Sequence, residues 1–158
     1  DLARAAATAQ AIATTTALPL HVDADLRERT VGILDGMSFA DAKAQHPAAY
    51  AALVARDESA LPAGAETNAA CFARVSGALD RIAAAHVGAT VVVVSHRIAL
   101  FHMLSHITRL GPPTNESRFF TLVDNASLSV VERYASVEHG VSWRLCQWND
   151  NAHLRGIG

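Results

Sequence analysis

The chain of 158 residues has the length of one domain, and its formal net charge of −2 excludes the broad basic field that a nucleic acid or an anionic membrane surface would require. Hydrophobic residues make up 51% and aromatic residues 6%, and a chain of this size buries about 70% of its unfolded surface without needing metals or disulfides. Its two cysteines, Cys71 and Cys146, are far apart with no C-x-x-C spacing, so both are expected to be reduced and buried, and no apolar stretch approaches a membrane span.

Residues 2–17 read as an Ala-rich helix with Arg4, Thr8 and Gln10 as polar members, closed by Thr14-Thr15-Thr16 and Pro19. Residues 20–22 are a short strand candidate, and 27–36 a polar loop holding Arg27, Glu28, Arg29 and Asp35. Ser38 with Asp41 fits a capping signature and opens a helix that ends near His46-Pro47, followed by a second segment over 48–56. After a loop over 57–64, a long helix runs from about Glu66 to His86. In it Phe72, Val75, Leu79 and Ile82 recur every three or four residues, and Gly88 is its natural stop. The β-branched run Val91-Val92-Val93-Val94 makes 90–95 a buried parallel strand, which enters a helix over 97–110 terminated by Gly111-Pro112-Pro113. Residues 119–123, 128–134 and 141–148 are strand candidates, separated by turn signals at 124–126 and 138–140. Helices alternating with strands, then a meander, indicate an α/β domain with an antiparallel edge.

The junction Ser95-His96 is the most informative point. In open α/β sheets ligands bind at the carboxyl ends of strands, and a helix N-terminus there offers free N–H groups to an anion. His96 is placed to meet a phosphate, although Ser95 as a plain helix cap explains the same residues. Arg4 presents a rigid, permanently charged fork suited to phosphate, or pairs with Asp1 three residues before it. Glu28 is a loop carboxylate that can exchange protons with a leaving group, or a solvated surface charge. Glu66 opens the long helix and reads as structural. His102 and His106 have metal-ligand spacing, but no third ligand is placed and no Glu follows His102, so no metal site is expected. Asn125 lies in a turn whose conformations it tolerates. There is no Gly-rich phosphate loop and no G-x-S-x-G elbow.

Six short motifs occur in order. Asp1-Leu2-Ala3-Arg4-Ala5 with Thr8-Ala9 resembles S-D-L-x-R-A-x-x-T-A, and Leu26-Arg27-Glu28-Arg29 with Gly32 and Gly36 resembles L-R-E-x-x-x-G-x-x-x-G. Gly64-Ala65-Glu66-Thr67 resembles G-G-E-S, and Val93-Val94-Ser95-His96 matches V-V-S-H. Asp124-Asn125-Ala126-Ser127-Leu128-Ser129 matches D-N-A-S-L-S, and Asn149-Asp150-Asn151-Ala152-His153-Leu154 resembles N-D-T-A-H-L. Over nearly its whole length the chain thus resembles the histidine phosphatase, or phosphoglycerate mutase-like, superfamily.

That resemblance implies a three-layer α/β/α fold with a mostly parallel sheet and an antiparallel C-terminal edge, in one domain over 1–158. It implies phosphomonoester hydrolysis through a phosphohistidine formed on a histidine of an Arg-His-Gly motif. Arg4 would be a second arginine of the phosphate pocket, His96 its second histidine, and Glu28 the proton donor to the leaving oxygen. Ser95, Arg97 and Asn125 would flank the substrate, with Arg97 standing where the family usually has Gly. No cofactor or metal is implied. The partner is a small phosphorylated substrate, with no nucleic acid and no membrane; a homodimer and a cytoplasmic location fit the same picture. No Arg-His-Gly occurs in these residues and the first residue is Asp1, so the chain is expected to be a piece of a longer protein, cut just after that motif. The alternatives are a phosphoglycerate mutase and a non-catalytic phosphate-binding pseudoenzyme.

Overall fold

The computed structural model describes residues 1–114, 116–117 and 119–156. Helix α1 (Ala3–Thr16) ends where Ala17 turns left-handed at φ 55°. The hydroxyls of Thr15 and Thr16 donate back to the carbonyls four residues earlier, at 2.9 and 2.8 Å, which is how a threonine run loosens a helix end. Helix α2 (Phe39–Gln45) is capped as its sequence suggests. The Ser38 hydroxyl accepts the Asp41 N–H at 3.1 Å and donates to the Asp41 carboxylate at 2.6 Å. Helix α3 (Pro47–Ala55) follows at once, with proline at its first position. Helix α4 (Asn68–Ala85) is capped by Thr67, which leaves Glu66 just outside the helix. Helix α5 (Arg97–Ile107) is three residues shorter than its apolar pattern suggests, because Thr108 caps it and Arg109 turns to φ 59°.

Strands β1 (Leu128–Ser136) and β2 (Gly140–Asp150) form an antiparallel hairpin that pairs Tyr134 with Ser142 and Val131 with Leu145. Among the described residues this is the only sheet. The strands expected at 20–22, 90–95 and 119–123 form no ladder. A strand exists only through a hydrogen-bonded neighbour, and no described residue supplies one to these runs. Val91 and Val92 accordingly stand 42% and 58% exposed, where a central parallel strand would be covered on both faces.

The core lies between α4 and α5. Cys71, Val75 and Leu79 meet Ala99 and Met103, with Leu26, Val93, Leu100 and Trp143 packed around them. Each large aliphatic side chain fully buried there contributes about 1.5–3 kcal/mol. Burial pushes the Cys71 thiol up to about 12, so it stays protonated. Cys146, expected to be buried, is exposed, because β2 shows both faces of its middle to solvent. A second contact ties α3 to α5. The Arg56 guanidinium lies 3.6 Å from the Phe120 ring centre, and Phe120 stacks on Phe101 at 5.7 Å. Among the described residues no helix is long and apolar enough to cross a membrane.

His102 is the anomaly of this core. It is fully buried against Phe72 and Phe101, and neither ring nitrogen has a hydrogen-bond partner among the described residues. Such a group costs about 1–3 kcal/mol of desolvation. Burial is also the first cause that brings its pKa down to about 4 from the ordinary 6.5, with the Arg29 charge adding to it. Between those values the unfolded chain binds the proton and the folded chain does not. The contribution of neutral His102 is therefore intact above pH 6.5 and declines as pH falls toward 4. Urea unfolding at stepped pH checks this. His102→Leu is expected to match or exceed the parent at pH 7 and to lose less stability across that window; parallel losses in the two proteins would contradict it.

Candidate active site

His96 is the N-cap residue of α5, with extended backbone and only 8% of its surface exposed. Ser95 does not cap the helix. Its hydroxyl donates instead to the Leu26 carbonyl at 2.7 Å and brings the loop before Glu28 against the start of α5. Glu28 then completes that helix end. The N–H groups of Ile98 and Ala99 donate to its carboxylate oxygens at 3.3 and 3.2 Å, and the Arg29 N–H donates at 3.0 Å. A carboxylate on the first turn of a helix satisfies two orphan donors and meets the positive end of the dipole, an interaction of about 0.3–1 kcal/mol, more where partly buried. The anion held by these two N–H groups is thus the chain's own Glu28. The expectation that the N-terminus of α5 stands open to a phosphate is corrected accordingly, since Glu28 already takes those donors.

Arg4 lies exposed on the first turn of α1, and its charge acts on His96. The pairing with Asp1 that the spacing offered does not form, because the Asp1 carboxylate accepts from the Arg27 guanidinium, with Nε at 2.7 Å. Desolvation is the first cause that lowers the His96 pKa below its ordinary value. The positive charge of Arg4 lowers it further, and Glu28 opposes both. Burial and the positive charges near it, Arg4 first among them, therefore favour the neutral imidazole, and Glu28 opposes them.

Arg97 is exposed, and its Nε donates to the Val123 carbonyl at 3.1 Å, which ties α5 to the 119–123 run. Asn125 is exposed in the next turn, and its neighbour Asp124 carries the interactions there. The Asn149 side chain accepts the Asp124 N–H at 2.7 Å and donates to the Asp124 carboxylate at 3.0 Å, while Asn151 donates to the same carboxylate at 3.2 Å. The D-N-A-S and N-D-N-A segments are thus two halves of one polar network. His106, one of the two histidines with metal-ligand spacing, pairs with Asp80 at 3.1 Å.

Two further segments support the site. The backbone of Val31 bridges to Ala65, and the Glu66 N–H donates to the Thr30 carbonyl at 3.1 Å. Gly32 makes this approach possible. It sits at φ +63°, and a Cβ there would lie 2.1 Å from the Ala63 carbonyl oxygen. The second support is Arg74, which the sequence reading missed. Its fork meets the Glu66 carboxylate through Nε and Nη2, both at 2.7 Å, with the two side chains 20% and 17% exposed. The available signal was an arginine inside the apolar stripe of α4, between Phe72 and Val75.

A family model described as the histidine phosphatase superfamily, branch 1, matches residues 1–151. The metal-independent phosphoserine phosphatase of Arabidopsis thaliana is 31% identical over 160 residues, which cover 100% of this chain and 62% of that protein. The chain thus spans less than two thirds of that relative's length. A probable phosphoglycerate mutase GpmB of Yersinia pestis is 30% identical over 154 residues, covering 98% of this chain and 70% of that one. Among solved structures, a mycobacterial glucosyl-3-phosphoglycerate phosphatase in complex with inorganic phosphate aligns with a TM-score of 0.75 at 29% identity, over 96% of this chain and 75% of that one. With these matches and the α/β arrangement that they share, the chain belongs to the histidine phosphatase superfamily.

Proposed function

We propose that this chain is the greater part of a metal-independent phosphomonoester hydrolase that works through a phosphohistidine. The observation that carries the reading is the seat of Glu28 on the start of α5 beside the buried His96, whose ring also feels the positive charge of Arg4. The similarity to named phosphatases supports it. In this reading a nucleophilic histidine from an Arg-His-Gly segment upstream of Asp1 attacks phosphorus, and the bond to the leaving oxygen breaks. Glu28, protonated when the substrate is bound, gives its proton to this oxygen and is left as the carboxylate. Water then attacks phosphorus as that carboxylate takes a proton from it, the N–P bond breaks, and inorganic phosphate leaves. His96 and Arg4 stabilise the charge on the transferring phosphoryl oxygens as preorganised donors. Ser95, Arg97 and Asn125 flank the pocket. The same upstream segment would give the 90–95 run its missing neighbour in a mostly parallel sheet covered by helices on both faces, with the whole chain in one domain. The substrate is a small phosphorylated molecule.

The similarity to a probable phosphoglycerate mutase favours one second reading, in which the phosphohistidine returns its phosphoryl group to an acceptor instead of to water. Conversion of 3-phosphoglycerate with and without a bisphosphoglycerate primer separates the two, since only the mutase depends on the primer. For the hydrolase, His96→Ala in protein made from its native reading frame is expected to lower turnover of a phosphomonoester by about 10²–10³-fold, the loss that follows removal of one transition-state donor. Unchanged turnover would refute the assignment. The electrostatics give a second check. NMR titration of the His96 ring is expected to show a midpoint below 6.5, and Arg4→Gln is expected to raise it, because the variant removes a nearby positive charge and leaves the desolvation in place. A midpoint that ignores Arg4→Gln would remove Arg4 from the site.

A further inference from the structure

The loop that carries Glu28 has almost no regular structure of its own. Beyond a single 3-10 turn at Ala24–Leu26 it has none, and four successive carbonyls, those of residues 25 to 28, accept from side chains elsewhere in the chain. Arg74 takes three of them. Its Nη1 donates to the Asp25 and Arg27 carbonyls, both at 2.8 Å, and its Nη2 donates to the Glu28 carbonyl at 3.2 Å. Ser95 takes the fourth, that of Leu26. With the two bonds to Glu66, the five N–H groups of the guanidinium all have acceptors. One planar fork therefore fixes the backbone on both sides of Leu26, and Glu66 fixes the fork. A lysine has three donors on a flexible stem and cannot reproduce this arrangement.

We propose that Arg74, oriented by Glu66, is the positioning residue of the active site: it places the backbone of 25–28 so that the Glu28 carboxylate lands on the N-terminus of α5 beside His96. Arg74 touches no substrate in this arrangement and acts through Glu28. The proposal rests on the reading of Glu28 as the proton donor, so its test has one readout that depends on activity and one that does not.

The first readout is a double-variant cycle in the full-length protein, with a phosphomonoester as substrate. Arg74→Lys is expected to lower kcat about 10–100-fold while KM stays within a few-fold, because a small misplacement of a catalytic group costs on this order. Combined with Glu28→Gln, it is expected to add little further loss, since its effect runs through Glu28. The second readout is the backbone amide signals of Ile98 and Ala99. Arg74→Lys is expected to shift them in the direction that Glu28→Gln does. If Arg74→Lys does not fold, Ser95→Ala releases the same loop at Leu26 without unpairing a buried charge, and the same two readouts apply with a smaller loss. Amide shifts without any hydrolase activity would uphold the positioning and discard the proton-donor reading. Independent, additive losses with unmoved Ile98 and Ala99 signals would overturn the proposal and leave Arg74 a structural ion pair.

Discussion

The contact on which the rest of this molecule depends is the fork of Arg74 on the carboxylate of Glu66. It joins α4 and the turn that leads into it to the loop of Glu28, 46 to 49 residues earlier in the chain. The pair is mostly withdrawn from water, and an ion pair of that kind is weak evidence for stability, because desolvation offsets much of the attraction. Its contribution here is geometric. A guanidinium has few ways to satisfy five donors at once, so the loop has few ways to lie. The hydrophobic contacts of Cys71, Val75, Ala99 and Met103 hold α4 against α5 without fixing anything as fine as the seat of a carboxylate.

What was legible in the sequence follows from how local each cause is. Ser38 caps α2 through Asp41, three residues away, and the cap was visible from that spacing alone. The helices read correctly to within a few residues because their hydrophobic period and their stops are local. Of the extended runs, 128–134 and 141–148 pair as β1 and β2, but 20–22, 90–95 and 119–123 form no ladder among the described residues, since a ladder is a property of two segments and the β-branched content of 91–94 describes only one. Glu28, His96 and Arg4 were recognisable as residue types in motifs, but the seat of Glu28 on α5 was not, because its donors lie 70 and 71 positions along the chain. Arg74 left even less trace. Its partners 46 to 49 residues away are backbone carbonyls, which every residue has, so no pattern of side chains announces them.

The polar network of Asp124, Asn149 and Asn151 shows the same principle on the other side of α5. Two motifs that looked separate are acceptor and donors of one cluster, and Arg97 reaches the carbonyl of Val123 just before it. The start of α5 is thus held from both sides. Glu28 approaches it from a loop braced by α4, and the 119–123 run is tethered to it through Arg97. His96 itself has no side-chain hydrogen bond among the described residues, and its protonation is governed by desolvation and by the charges around it rather than by a fixed partner.

The junction at Gly32 has a mechanical consequence. The backbone there lies against the 63–65 turn with less clearance than a methyl group needs, and the Ile33 N–H closes on the Ala63 carbonyl at 3.0 Å. Nothing can slide between these two segments, so the loop of Glu28 and the entry to α4 move as one plate. The α2–α3 segment leaves this junction just after Gly32 and returns to it just before Gly64, so both its ends are anchored at one point, while Arg56 on Phe120 ties its far end toward α5.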